Sequence, residues 1–228
     1  MEKFIIEGQH PLQGEMTPSG NKNAALPLLA ACLLTDEPII MHNVPDILDV
    51  RAMRSLLESL GVEIVSLDNH TWKIHAKEVR PADLDPDLCR RIRASILLAG
   101  PMTARSGDLH LPPPGGDVIG RRRVDTHLLI LQKLGAEVTY ERSFHFKAIH
   151  GRVGADILLD EASVTATENT IMAAVLAKGT TTIRNAASEP HIQELCKMLN
   201  AMGAGIQNIG SNTLVIEGKD RLHGAEVT

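Results

Sequence analysis

Aromatic side chains are nearly absent. The 228-residue chain holds one Trp, one Tyr and three Phe, and its acids outnumber Lys and Arg for a formal net charge of −5. Without stacking rings or a basic surface, the composition argues against a nucleic-acid binder. Any basic patch must be local and aimed at a small anion. Cysteine is scarce as well. Cys32, Cys89 and Cys196 are odd in number, far apart and set in apolar or helical patterns. They fit free thiols in a reducing cytoplasm better than a disulfide framework or a zinc site. The ten histidines are scattered and no residue pair has metal-ligand spacing, so neither a metal nor a cofactor is expected. Long apolar runs are missing too. The longest, Ala24–Leu34, is too short to span a bilayer and contains Pro27. No basic stretch followed by an apolar core opens the chain, so no signal peptide is expected, and no membrane partner.

What is present is 43% hydrophobic content, enough for one sizeable domain or two small ones, and an internal repeat. Three amphipathic patterns, Val50–Leu60, Leu128–Leu134 and Ile192–Met202, each end on a glycine: Gly61, Gly135 and Gly203. Glycine just past the last periodic residue is a helix stop. Two short strand patterns follow each: Val62–Leu67 with Thr71–His75, Glu137–Tyr140 with Phe144–Ile149, and Ile206–Ile209 with Thr213–Glu217. Each unit also has a helix that is apolar on nearly every face and must be buried: Lys22–Leu34, Arg93–Ala99 extending toward Ala104, and Asn169–Ala177. A strand joins the two helices: Ile39–Asn43, Asp108–Leu111 and Thr181–Arg184. The spacing predicts an α/β fold of three β-α-β-α-β-β repeats of about 70 residues, an inside-out, barrel-like domain with central buried helices and sheets outside. Ile6-Glu7-Gly8 with Leu12-Gln13-Gly14 recurs as Ile216-Glu217-Gly218 with Leu222-His223-Gly224. That match predicts a fourth unit beginning near 217, hence a piece of a longer protein.

The buried helices begin with Ser19-Gly-Asn-Lys22-Asn23, with Arg91-Ile-Arg93-Ala-Ser95, and with Ser163-Val-Thr-Ala-Thr167-Glu168-Asn169. Helix N-termini favour anions, and the Gly20-Asn21 turn permits a close backbone approach. The motif at Lys22 is a phosphate-site signal, although it is not a P-loop. Arg91 and Arg93 can equally be surface partners of Asp85 and Asp87, and Ser163 and Thr167 ordinary caps. His127 is given no role. Between strand and helix in the second unit runs Pro112-Pro-Pro-Gly-Gly-Asp117-Val-Ile-Gly-Arg121-Arg-Arg123. Proline fixes φ and glycine frees it, so residues 112–116 read as an exposed mobile loop. With one carboxylate and a base of arginines, the loop looks like a lid over an anionic substrate. The other reading is a solvated loop with a basic run.

Ser19-Gly-Asn-Lys22-Asn23-Ala-Ala-Leu-Pro, Arg93-Ala-Ser95, Gly115-Gly-Asp117-x-Ile-Gly-x-Arg122-x-Val-Asp125 and Ser163-Val-x-Ala-Thr167-Glu-Asn occur in this order along the chain. With these four motifs the chain resembles the UDP-N-acetylglucosamine enolpyruvyl transferases (1-carboxyvinyltransferases). The shikimate-pathway enolpyruvyl transferases share the fold but fit less well: their lysine is followed by serine and the arginine loop is lacking. The resemblance implies a cytoplasmic enzyme of two inside-out domains. It transfers the enolpyruvyl group of phosphoenolpyruvate to the 3′-hydroxyl of UDP-N-acetylglucosamine, the first committed step of peptidoglycan synthesis. On this reading residues 1–21 belong to the other domain, 22–216 form the three-repeat domain, and 217–228 open a second domain that is mostly missing. The resemblance further implies that Lys22 and Arg122 hold phosphoenolpyruvate, with Asn23 near the reacting centre. Arg93, the segment Arg122, Arg123, Val124, Asp125 and Thr126, and the turn Glu161, Ala162, Ser163 and Val164 would hold the UDP-sugar. Asp117 would be the general acid.

The chain departs from the family in having Asp117 where many members carry Cys. A carboxylic acid can donate the proton but cannot form the thiol adduct, so resistance to the epoxide antibiotic fosfomycin is expected. Other readings are a catalytically silent UDP-sugar-binding domain and a purely structural repeat domain.

Overall fold

The computed structural model describes residues 3–80, 84–116, 123–148 and 151–228. The first unit comprises α1 (Lys22–Ala31) with a 3-10 turn (Cys32–Leu34), β1 (Ile39–Met41), α2 (Leu48–Ser59), β2 (Glu63–Ser66) and β3 (Trp72–His75). The second comprises α3 (Pro86–Arg91), a 3-10 segment (Arg93–Leu98), α4 (Ala99–Arg105), β4 (Asp108–Leu111), α5 (Asp125–Lys133), β5 (Glu137–Tyr140) and β6 (Phe144–Lys147). The third comprises β7 (Asp156–Leu158), α6 (Val164–Ala174), β8 (Thr180–Arg184), α7 (Pro190–Ala201), β9 (Gly205–Gln207) and β10 (Thr213–Glu217), and β11 (Glu226–Val227) follows.

The repeat is visible in the strand order. β1-β3-β2, β4-β6-β5 and β8-β10-β9 are three antiparallel sheets of the same connectivity. In each, the strand after the central helix pairs with the third strand of its unit, because the second and third form a hairpin. Gly61, Gly135 and Gly203 have φ of 91°, 95° and 97° at the ends of α2, α5 and α7, the left-handed geometry that glycine adopts without strain. Among the described residues the leading strand of the unit occurs only ahead of α6, as β7, which runs parallel to β8. The corresponding edge of β1 is taken by β11, also parallel. Residues 217–228 accordingly lie along the first unit, where Arg221 bonds Glu37 at 2.7 Å and Thr35 Oγ1 donates to the Leu222 carbonyl at 2.9 Å. Residues 3–20 form no regular element, and Phe4, Ile5, Ile6, Leu12 and Met16 are exposed.

The three central helices are buried all round: Ala25–Leu34, Ser95–Ala104 and Ala166–Val175 are inaccessible without interruption. The apolar run containing Pro27 remains helical through it. The second central helix departs from the expected continuous α-helix, since residues 93–98 are 3-10 and only 99–105 are α. The third starts at Val164, five residues before the expected Asn169. The Ser163 hydroxyl accepts from the Ala166 N–H at 3.4 Å and caps it there. α3 also went unforeseen, although Asp85 caps it and Pro86 opens it.

Asn169 of α6 ties the second and third central helices to each other and to α5. Its Oδ1 accepts from the Gly100 N–H at 2.7 Å, and its Nδ2 donates to the Ile96 carbonyl at 2.9 Å and to His127 Nδ1 at 2.9 Å. His127 Nε2 then carries the proton and donates to Thr165 Oγ1 at 3.2 Å. Every capacity of the Asn169 amide hydrogens is used, as burial demands. Gly100 is required by the same contact, because a Cβ there would stand 2.6 Å from the Asn169 carbonyl oxygen. Gly100→Ala is therefore expected to destabilise the chain by roughly 1–3 kcal/mol, seen as a lower urea midpoint at unchanged slope.

Candidate active site

The starts of the three central helices converge on one cavity of ≈ 200 Å³. Lys22 and Asn23 come from α1, Arg93 and Ala94 from the 3-10 segment, and Val164 and Thr165 from α6, while Asp49, Arg91, Gly116 and Glu168 complete the wall. Threefold repetition places comparable positions around one axis, and helix starts bring unpaired N–H groups and partial positive charge to it. Three of the wall residues, Lys22, Arg91 and Arg93, add full charge.

Lys22 Nζ donates to Asp49 Oδ2 at 2.8 Å. Asp49 lies in the first turn of α2, so the amphipathic helix of the first unit aims the ammonium group of the central one. Asn21 caps α1 by accepting from the Asn23 N–H at 2.8 Å. The close backbone approach at Gly20 is made to protein: an added Cβ would meet the Asn43 carbonyl oxygen at 2.0 Å. Arg91 and Arg93 face this cavity, while the ion pair with Asp87 belongs to Arg90 instead, at 2.9 Å.

Arg93 links the cavity to a second cluster, since its Nη2 donates to the Arg123 carbonyl at 2.8 Å. Arg123 Nε lies 2.9 Å from both carboxylate oxygens of Asp125, and Nη2 lies 3.0 Å from Asp160 Oδ2. The hydrogen-bonded Asp125 carboxylate, reinforced by the charge of Asp160, raises the Arg123 pKa above its usual value. Thr126 Oγ1 donates to Asp160 Oδ1 at 2.9 Å, and half-buried Val124 precedes α5. Just after Asp160, Ser163 N donates to the Glu161 carbonyl at 2.8 Å. Ser163 is thus both a cap and part of this turn, whereas Glu161 and Ala162 are exposed and outside the cavity wall.

The root of the loop differs from the sequence expectation. Residues 112–116 are not a free loop but lie against α3 and the residues after it: Gly115 N donates to the Cys89 carbonyl at 3.2 Å and Gly116 N to the Arg90 carbonyl at 3.1 Å. Pro112 is buried. Gly115 is needed for this packing, because a Cβ there would lie 2.1 Å from the Arg90 carbonyl oxygen. Proline and glycine serve a close backbone approach here as readily as mobility. Asp117, Arg121 and Arg122 lie outside the described residues.

Three wall and cluster residues were not foreseen: Asp49, Asp160 and Glu168. The last is the least expected, a carboxyl group only 1% exposed in the cavity wall. Its Oε1 has no hydrogen-bond partner among the described residues. Burial, with a smaller push from Glu189, raises its pKa to about 8. The signal was present in Thr167-Glu168-Asn169, where Glu168 is the one charged residue of a helix that is buried from Ala166 onward. His127 shows the converse effect: burial first, then the Arg93 charge, lowers its pKa to about 4, so it is neutral within the Asn169 network.

A family model described as EPSP synthase (3-phosphoshikimate 1-carboxyvinyltransferase) matches residues 6–228. The chain belongs to this family. The UDP-N-acetylglucosamine 1-carboxyvinyltransferase of Treponema denticola is 56% identical over 226 residues, covering 99% of this chain and 53% of its own length. That of Treponema pallidum is 51% identical over 228 residues, covering 100% of this chain and 53% of its own. The chain spans about half the length of the curated relatives it matches. Among solved structures, the enolpyruvyl transferase NikO from Streptomyces tendae superposes with a TM-score of 0.82 at 21% identity, covering 95% of this chain and 51% of that one. An EPSP synthase from Acinetobacter baumannii gives 0.73 at 21% identity, covering 93% and 48%. The fold is that of the enolpyruvyl transferases. Among the described residues no helix is long and apolar enough to cross a membrane.

The Glu168 carboxyl makes stability depend on pH in a definite direction. Its folded pKa, about 8, lies above the reference value of 4.5. The unfolded chain therefore loses this proton first, and the stability present below pH 4.5 is lost as pH rises toward 8. Glu168→Gln removes this contribution, worth up to about 1.4 kcal/mol per pH unit. Urea unfolding at pH 5 and pH 7.5 should show the wild type losing more stability than the variant between the two.

Proposed function

We propose that this chain supplies one wall of an enolpyruvyl transferase that joins phosphoenolpyruvate to the 3′-hydroxyl of UDP-N-acetylglucosamine in peptidoglycan synthesis. The observation that carries this is the convergence of Lys22, Arg91 and Arg93 with three helix starts on one cavity. Both substrates are multiply anionic, and the names of the Treponema relatives match the second of them. A cavity of ≈ 200 Å³ is below the ≈ 300–1,000 Å³ of sites that enclose a drug-sized ligand. It suits the small anion, phosphoenolpyruvate, at Lys22 and Asn23. The Arg93–Arg123 link supports placing the sugar nucleotide along Arg93, the segment Arg122, Arg123, Val124, Asp125 and Thr126, and the turn Glu161–Val164.

In this assignment Lys22 and Arg122 hold phosphoenolpyruvate. Cations there stabilise the charge that develops as the hydroxyl adds to C2 of phosphoenolpyruvate, the carbon bearing the phosphate oxygen, and phosphate later leaves. Asp117 donates the proton that the methylene carbon gains in the addition step. A second domain supplies the opposite wall and further groups. Residues 1–21 are assigned to it because the apolar side chains of Phe4, Ile5, Ile6, Leu12 and Met16 are exposed, whereas 217–228, which lie along β1, are assigned to the three-repeat domain. Exclusion of water when the two domains close protects the reaction from hydrolysis. The site of action is the cytoplasm, where both anionic substrates are available.

Titration calorimetry should show UDP-N-acetylglucosamine binding to the 228-residue chain without phosphate release when phosphoenolpyruvate is added. Arg93→Ala and Arg122→Ala should each weaken binding by ten-fold or more, equal to at least about 1.4 kcal/mol. Unchanged affinity in both variants contradicts the assignment. The two-domain protein with Asp117 should keep its activity in fosfomycin, with no adduct mass on this loop; time-dependent inactivation with an adduct there would refute the assignment of a carboxylic acid as the proton donor.

A further inference from the structure

Away from the cavity, the sheet of the second unit brings together three metal-ligating side chains that lie up to 37 residues apart. β4 and β6 pair antiparallel with His110 opposite His145 and Asp108 opposite Lys147. Side chains two apart on a strand share a face, so Asp108, His110 and His145 stand on one side. Leu109, Leu111, Phe144 and Phe146 fill the other side and are buried in the core, which leaves the three polar groups on the outer surface. The imidazole rings of His110 and His145 stack with centroids 3.9 Å apart and planes at 18°. His145 Nε2 is 2.9 Å from Asp108 Oδ1, on the diagonal of the ladder. One ligand atom from each residue lies within 4.8 Å of the other two.

We propose that Asp108, His110 and His145 form a surface site for a divalent transition metal of the zinc class. Two imidazole nitrogens and one carboxylate oxygen are a donor set that zinc accepts in tetrahedral geometry, with water in the fourth position. The same set disfavours magnesium, which requires octahedral oxygen ligands. The frame is rigid where it must be, because β4 and β6 are fixed in register by the core on their inner face. Only side-chain rotations are needed to bring the donors to bonding distance. On binding, the metal takes the His145 Nε2 lone pair in place of the hydrogen bond to Asp108, and the single proton of the neutral ring resides on Nδ1. The thiols do not compete. Cys32, Cys89 and Cys196 are buried, and desolvation pushes Cys89 up to about 11 and Cys196 to about 12. The site sits at the strand that leads directly into Pro112, so an occupied site braces the root of the loop.

The test is titration of the chelator-stripped chain with ZnCl2, followed by calorimetry. One zinc ion per chain is expected, unaffected by excess Mg2+. His110→Ala and His145→Ala should each weaken binding by more than the roughly 10–100-fold typical of losing an outer partner of a metal ligand. Asp108→Asn, which keeps the shape of the side chain, should weaken it as well. Circular dichroism of each variant checks that the sheet is intact, as expected for partly exposed outer-face positions. No zinc binding by the wild type overturns the proposal. So does binding that persists unchanged in His145→Ala, or binding that Mg2+ abolishes.

Discussion

The close packing of three apolar helices about a common axis is the constraint on which the rest depends. Helices approach closely where side chains are small or absent at the crossing, and where a polar side chain caught between them finds partners. Gly100 supplies the first condition and the Asn169 side chain the second. The sheets lie outside because each unit has one helix that is apolar all round and cannot be exposed. Its second helix and sheet have only one apolar face each and can therefore form the shell.

From this packing the site follows. Three equivalent helices related by a repeat have their starts at the same end, so the residues before and within each first turn meet at one place. Lys22, Arg93 and Thr165 are close because the helices are close, not because a dedicated loop assembles them. The amphipathic shell then tunes the centre: Asp49 of α2 aims Lys22, and the Arg123–Asp125–Asp160 cluster holds the carbonyl that receives Arg93. Charges of both signs are therefore organised around a cationic opening. Glu168, kept neutral by its burial, does not cancel it near neutral pH.

Much of this was legible in the sequence. Asp108–Leu111, Glu137–Tyr140 and Thr213–Glu217 stand as strands with the expected bounds, because period-two patterns between turn residues carry that information locally. The glycine stops were legible for the same reason. Cap chemistry was visible but underweighted: Ser163 begins α6 five residues early, and Asp85-Pro86 begins α3. Pairings between distant segments were hidden. β11 on β1, Asp160 with Arg123, and the packing of residues 112–116 against α3 depend on where the chain returns, which no local pattern records. Residues 112–116 pack against α3 where the proline-glycine pattern predicts an exposed loop, because the same residues that free a backbone also let it lie close to another. Lys22, Asn23, Arg93 and Val164 line one cavity because each sits at a helix start, and the repeat alone aligns those starts, while the roles proposed for them rest on the resemblance.

The central claim is that an anionic substrate sits where the three helix starts meet. Amide chemical-shift mapping of the isotope-labelled chain during titration with UDP-N-acetylglucosamine and phosphoenolpyruvate together tests it most directly. The account predicts the largest shifts at residues 22–23, 93–94, 123–126 and 161–165, from all three units at once. Shifts confined to one unit, or to the outer sheet faces, would contradict it.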